Sequence, residues 1–81
     1  MRKDEISKLE RHIENAITRA PNFLQLSYQV QQCVNVCNTL YYAHMINYLQ
    51  FGYLTKLITD KGCETEDRLL KALLLKENKN K

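Results

Sequence analysis

The chain has 81 residues, which is enough for one small domain and too few for two. Its hydrophobic content of 44% is typical of a globular protein, and a formal net charge of +3 is too small to indicate nucleic-acid binding by itself. The N-terminal residues lack the apolar run of a secretion signal. Because the three cysteines are an odd number, we expect reduced thiols and a cytoplasmic protein.

The first predicted element is an amphipathic helix over about residues 4–19. Its apolar residues recur at spacings of three and four and form one stripe: Ile6, Leu9, Ile13, Ala16, Ile17 and Ala20. Asp4 is suited to the N-cap or the first turn. Pro21 ends the helix, because its ring excludes helical geometry at the preceding residue.

The middle of the chain, residues 20–55, contains no Asp, Glu, Lys or Arg. Its apolar spacing predicts a long central helix that starts at Asn22 or Phe23 and reaches Phe51. Gly52 would cap or break this helix, or the helix would continue to Thr59. One predicted face carries Phe23, Leu26, Val30, Cys33, Val34, Cys37, Leu40, Tyr41, His44, Tyr48 and Phe51. The opposite face carries Leu24, Tyr28, Tyr42, Ile46, Leu49 and Tyr53.

The C-terminal third is predicted to contain a turn and a last helix. Residues 60–62, Asp-Lys-Gly, give the turn signal, and Thr65 would cap the helix that follows. We predict one helical domain over residues 1–75 and a flexible basic tail over 76–81. The fold class is all-α, a small helical bundle or hairpin with a long central helix.

The missing charge indicates that the central helix is covered on two faces. Charged side chains are rarely buried without partners, whereas amides can be satisfied by hydrogen bonds. A helix of about 30 residues is about 45 Å long, while a compact domain of this size has a radius of gyration of about 12 Å. We therefore expect oligomerisation or a protein partner to complete the fold. The predicted partner-binding residues are Tyr28, Tyr42, Ile46, Leu49, Tyr53, Leu70 and Leu74.

Residues that could carry chemistry do not form a recognisable site in the sequence. Cys33 and Cys37 share a helical face with His44, but seven residues of helix separate Cys37 from His44. That is about 10.5 Å, too far for one metal ion. No acid is available to orient His44 as a base, and no glycine-rich phosphate loop is present. We predict no enzyme activity, no cofactor and no metal, and we interpret both cysteines as core residues.

The predicted function is that of a small non-enzymatic protein–protein interaction module: an adaptor, a small chaperone or an inhibitor. Five tyrosines without neighbouring cations favour a protein or a second copy over a nucleic acid. The nine amides of the uncharged stretch argue against a membrane span. The alternative is a DNA-binding regulator with a helix-turn-helix-like segment in the C-terminal third, although that second helix would begin with acids that repel phosphate.

Overall fold

The structure, a computed structural model, describes residues 1–79. The chain forms three helices: α1 (Lys3–Thr18), α2 (Phe23–Tyr42) and α3 (Tyr48–Lys79). The predicted all-α class is therefore confirmed over the described part of the chain. Helix α1 lies within one residue of its predicted bounds, and α2 begins as predicted, because the Asn22 side chain accepts a hydrogen bond from the Gln25 backbone N–H at 2.8 Å.

Helix α3 is the scaffold on which the other two helices pack. Helix α1 runs parallel to α3, since Tyr53 near the start of α3 bonds to Glu10, and Arg68 further along reaches the end of α1. Helix α2 runs antiparallel to α3, since Tyr41 at the end of α2 stacks on Phe51 with ring centroids 4.6 Å apart. The result is an up-down-up three-helix bundle.

The core lies where the three apolar stripes meet. Most of the predicted stripe of α1 lies in or against this core, and so do seven residues of the predicted inner face of α2, three of them buried. The buried apolar residues are Ile13, Ile17, Ala20, Leu26, Cys33, Cys37, Ile46, Leu54, Ile58 and Leu69. These residues come from every helix and from the α2–α3 connection, so the bundle is stabilised by packing between helices rather than by any single helix.

The central helix is interrupted, and the prediction that it reaches Phe51 is wrong. Helix α2 ends in a Schellman motif: the Met45 N–H donates to the Leu40 carbonyl at 2.9 Å, and the His44 N–H donates to the Tyr41 carbonyl at 3.1 Å. His44 occupies the left-handed position with φ 60°. Glycine is the usual residue there, so the sequence carries no obvious stop signal at this point.

A capping box then starts α3. The Gln50 N–H donates to Asn47 Oδ1 at 2.8 Å, and the Asn47 N–H donates to Gln50 Oε1 at 3.0 Å. The two amides therefore satisfy each other's backbone donors at the helix start. This N-x-x-Q spacing is the sequence signal that identifies the true start of the helix.

Helix α3 continues through both glycines, so the predicted break at Gly52, the turn at residues 60–62 and the N-cap at Thr65 are wrong. Neither Gly52 nor Gly62 has a positive φ. Thr65 is buried within the helix, at a helical spacing from Ile58 and Leu69 on the same side. Burial of that continuous stripe outweighs the weak helix propensity of two isolated glycines. The described residues of the C-terminal third therefore contain no helix-turn-helix.

The end of α3 extends beyond the other two helices. Arg68 already lies beside the end of α1, and residues 70–77 are all exposed. The chain is correspondingly elongated, with extents of 54 × 19 × 15 Å and a radius of gyration of 15.1 Å. A compact chain of this length would have a radius of gyration of about 12 Å. The helix includes Lys76, where the predicted tail begins; Asn80 and Lys81 of that tail lie outside the described residues.

Candidate functional site

Six of the seven predicted partner-binding residues are exposed. Their exposed fractions lie between 44% and 79%, and the six are Tyr28, Tyr42, Leu49, Tyr53, Leu70 and Leu74. Ile46 is the exception, with only 4% of its surface exposed. It lies in the α2–α3 connection rather than on a helix face, and it packs in the core cluster. Ile46 is therefore a core residue, and the prediction that it contacts a partner directly is corrected.

The six exposed residues do not form one surface. Leu49 and Leu70 are 21 residues apart on α3, a separation of about 31 Å along the helix axis. The exposed residues between them on that side of α3 include Lys56, Asp60 and Asp67. A partner that contacted both leucines would have to cover these charges. The α3 residues therefore belong to two separate patches.

Helix α2 carries an extended surface without charge. On the side roughly opposite its buried residues, positions recur at alternating spacings of four and three: Leu24, Tyr28, Gln31, Asn35, Asn38 and Tyr42. We call these six residues the α2 outer face. Leu24 is 78% exposed and Tyr42 is 77% exposed, at opposite ends of the helix. Asn38 is half-buried, and the other members are exposed.

The absence of charge on this face is unusual for a helix in contact with water. None of the 20 residues of α2 is Asp, Glu, Lys, Arg or His. The outward side of a surface helix normally carries charged residues. Instead, the Gln31 side chain donates to Asn35 Oδ1 at 3.0 Å, one turn further along the helix. The centre of the face is thus a pair of bonded amides, with apolar or aromatic residues at its two ends.

Tyr53 is held in place by the chain itself. Its hydroxyl donates to the Glu10 carboxylate at 2.5 Å, which joins α3 to α1. This hydrogen bond to Glu10 raises the pKa of Tyr53 above its usual value of 10.0, because ionisation of the phenol would destroy the bond. Tyr53 therefore has a role inside the bundle as well as an exposed ring.

The cysteines fit a structural interpretation. Cys33 and Cys37 are free and buried, and burial raises the pKa of both thiols, which lowers their reactivity. Cys63 is exposed on α3. Within residues 1–79, no group of three or more His, Cys, Asp or Glu side chains is arranged to hold a metal ion.

None of the three helices in the described part of the chain combines the length and hydropathy needed to span a bilayer. The class that the structure defines is a three-helix all-α bundle with a long third helix. The chain matches no protein-family model, no curated protein and no solved structure.

Sequence reasoning placed Leu24, Tyr28 and Tyr42 on one face of the helix but missed Gln31, Asn35 and Asn38. It assigned importance to aromatic and aliphatic residues and left the amides as filler between two faces. The signal that could have found Gln31 and Asn35 is their position on the same four-three spacing as the tyrosines.

Proposed function

We propose that this chain is a small non-enzymatic interaction module that binds protein through the α2 outer face. The observation that carries the proposal is a fully uncharged 20-residue helix whose outer side is exposed in the single chain. Charged residues are depleted at the cores of protein interfaces, and tyrosines are enriched there. A face with two tyrosines, a leucine and three amides has that composition.

The chemistry of this face favours protein over other ligands. A nucleic acid would require cations to neutralise its phosphates, and α2 has none. The amides can exchange hydrogen bonds with a partner's side chains or backbone, which gives specificity. Tyr28 and Tyr42 are the two aromatic residues of the face, 56% and 77% exposed, and tyrosines are frequent hot spots.

The module would act as an adaptor, a small chaperone or an inhibitor, all of which operate by occupying a partner's surface. The α3 residues Leu49, Tyr53, Leu70 and Leu74 remain predicted contacts of secondary rank, since they lie in separate patches. The DNA-binding alternative loses its geometric basis, because α3 is continuous where the helix-turn-helix was expected.

The proposal is tested by comparing variants in a native lysate. A tagged chain should recover a stoichiometric protein, whose complex is then weighed intact. The double variant Tyr28→Glu, Tyr42→Glu should lose it, since each substitution places a charge on the α2 outer face. Tyr48→Glu is the matched control, because Tyr48 is 73% exposed but lies on α3.

Two results would count against the proposal. One is a wild-type chain that recovers no stoichiometric protein and is also monomeric at high concentration. The other is equal recovery by the double variant and the wild type. Circular dichroism of each variant shows whether the bundle is intact, so that unfolding is not mistaken for lost binding.

A further inference from the structure

We infer that the protein bound by the α2 outer face is a second copy of this chain, with the two α2 helices packed antiparallel. The inference rests on the proposed function and adds the identity, orientation and register of the partner. The pattern along α2, the surplus surface of the single chain and the absence of charge at the flanking positions support it independently.

The α2 outer face has the spacing of a coiled-coil seam. Its six positions follow the alternation of four and three residues that keeps two helices in contact along their length. They cover almost the whole of α2, from the first turn to the last residue. The seam is separate from the inner stripe that packs against α1 and α3.

The seam is also complementary to itself when reversed. A two-fold axis that passes near position 33 relates the two antiparallel helices. Each residue then faces the residue of the second copy for which the two residue numbers add up to 66. Leu24 then meets the second copy's Tyr42, Tyr28 meets the second copy's Asn38, and Gln31 meets the second copy's Asn35. Apolar and aromatic residues therefore meet at both ends, and amides meet amides at the centre. Buried amides of this kind select one register at some expense of stability.

The residues beside the seam allow close approach. In a coiled coil the flanking positions carry the charges that select or reject partners. Here the flanking positions are Gln25, Ser27, Gln32, Val34, Thr39 and Tyr41. No like charges therefore oppose each other across the seam or at these flanking positions.

The exposed surface area of the single chain is compatible with one interface of standard size. The chain exposes 6155 Å². A compact monomer of 9.6 kDa exposes about 5,100 Å², so the surplus is about 1,000 Å². A standard protein interface removes about 800 Å² from each partner. The free end of α3, residues 70–77, also contributes to this surplus, so the exposed area is compatible with one contact along the α2 outer face.

A charge-exchange pair tests both the contact and its orientation. Gln31→Lys with Asn35→Lys places lysine opposite lysine in both central layers. Sedimentation equilibrium should therefore show that the dissociation constant of the dimer rises by about tenfold or more. Gln31→Glu with Asn35→Lys places glutamate opposite lysine in the antiparallel register and should restore the dimer. Ser7→Lys, on the exposed side of α1, is the control for added charge and should leave the dimer unchanged.

Cross-linking provides a second measurement that tolerates a weakened interface. Leu24→Cys with Tyr42→Cys, in a Cys63→Ser background, should form a disulfide-linked dimer on oxidation. Within one chain these positions are about 27 Å apart, far beyond the reach of a disulfide. Either cysteine alone should fail to link two copies in the antiparallel arrangement, whereas a parallel pair would link through each of them.

The inference is overturned if the wild-type chain sediments at the mass of one 9.6 kDa chain up to about 100 μM. It is also overturned if the single cysteine variants cross-link as well as the double variant. A monomeric chain whose Tyr28→Glu, Tyr42→Glu variant loses a different protein from lysate would reject the second copy and keep the proposed function. A monomer that binds nothing would reject both.

Discussion

Replacing Gly62 with alanine should stabilise the protein, although the sequence marks this residue as part of a turn. In the structure Gly62 lies inside α3 without a positive φ. A Cβ at this position would meet only Val30 Cγ2, at 3.6 Å, which is an ordinary van der Waals distance. The substitution therefore adds a good helix former and no clash.

The expected gain follows from helix propensity. Glycine is about 0.8–1.0 kcal/mol less favourable than alanine in a helix interior, and the unfolded chain also loses freedom. We expect Gly62→Ala to raise the free energy of unfolding by about 0.5–1 kcal/mol, which corresponds to roughly 2–8 °C in Tm for a domain of this size. Gly52→Ala should give a similar gain, since nothing lies within 4 Å of its added Cβ.

Urea and thermal unfolding followed by circular dichroism measure both gains, and the two should add because the sites are far apart on the helix. A Gly62→Ala variant that loses about 1 kcal/mol or more, beside a Gly52→Ala variant that gains stability, would refute the reasoning. That result would mean that Gly62 needs a conformation open only to glycine, and that α3 is not continuous.

Three further predictions concern residues with distinct roles. Ile46→Ala should cost about 2–4 kcal/mol in urea unfolding because Ile46 is buried, whereas Leu49→Ala should stay within about 0.5 kcal/mol. Tyr53 should titrate above 10.0 when followed by phenolate absorbance, and Glu10→Gln should lower its pKa. The hydrogen bond from Tyr53 to Glu10 therefore stabilises the fold below pH 10.0, and this contribution is lost as the pH rises through the raised pKa. Arg68→Met should cost about 1–2 kcal/mol by the same unfolding assay, because it removes two hydrogen bonds of 3.0 Å to the carbonyls at the end of α1.

The fold class and the first helix could be predicted because their signals are local and agree with each other. Helix α1 has a single apolar stripe and a proline just after its end, and its buried residues lie where the apolar spacing places them. The inner face of α2 was predicted for the same reason, and Leu26, Cys33 and Cys37 are buried as expected. Such residues report their environment through spacing alone.

The helix boundaries further along could not be predicted as easily. His44 adopts a left-handed conformation that favours glycine, so the end of α2 has no glycine to mark it. Conversely, Gly62 resembles a stop signal but lies in a helix held by its buried neighbours. Tertiary burial decided the case of Gly62, and local turn signals do not report it. The capping box at Asn47 was the available local signal.

The uncharged composition of the candidate site follows from the sequence, but the set of residues that share one surface does not. The uncharged middle of the chain drew attention to α2. The predicted surface, however, required one helix that reached Phe51, and so it combined residues that the structure separates. Ile46 lies in the core, and Leu49 and Tyr53 lie on α3 rather than on the helix that carries Tyr28 and Tyr42. What remains on α2 is shorter and more regular than the predicted surface.

Tyrosine footprinting tests the central claim most directly, because Tyr42 and Tyr48 are almost equally exposed, at 77% and 73%, but lie on different helices. The chain is oxidised by hydroxyl radicals at high dilution and again at high concentration in a native lysate, and each tyrosine is quantified by mass spectrometry. The account predicts that Tyr28 and Tyr42 lose reactivity in the lysate while Tyr48 keeps it. Unchanged reactivity at Tyr28 and Tyr42, or protection of Tyr48 alone, would contradict it.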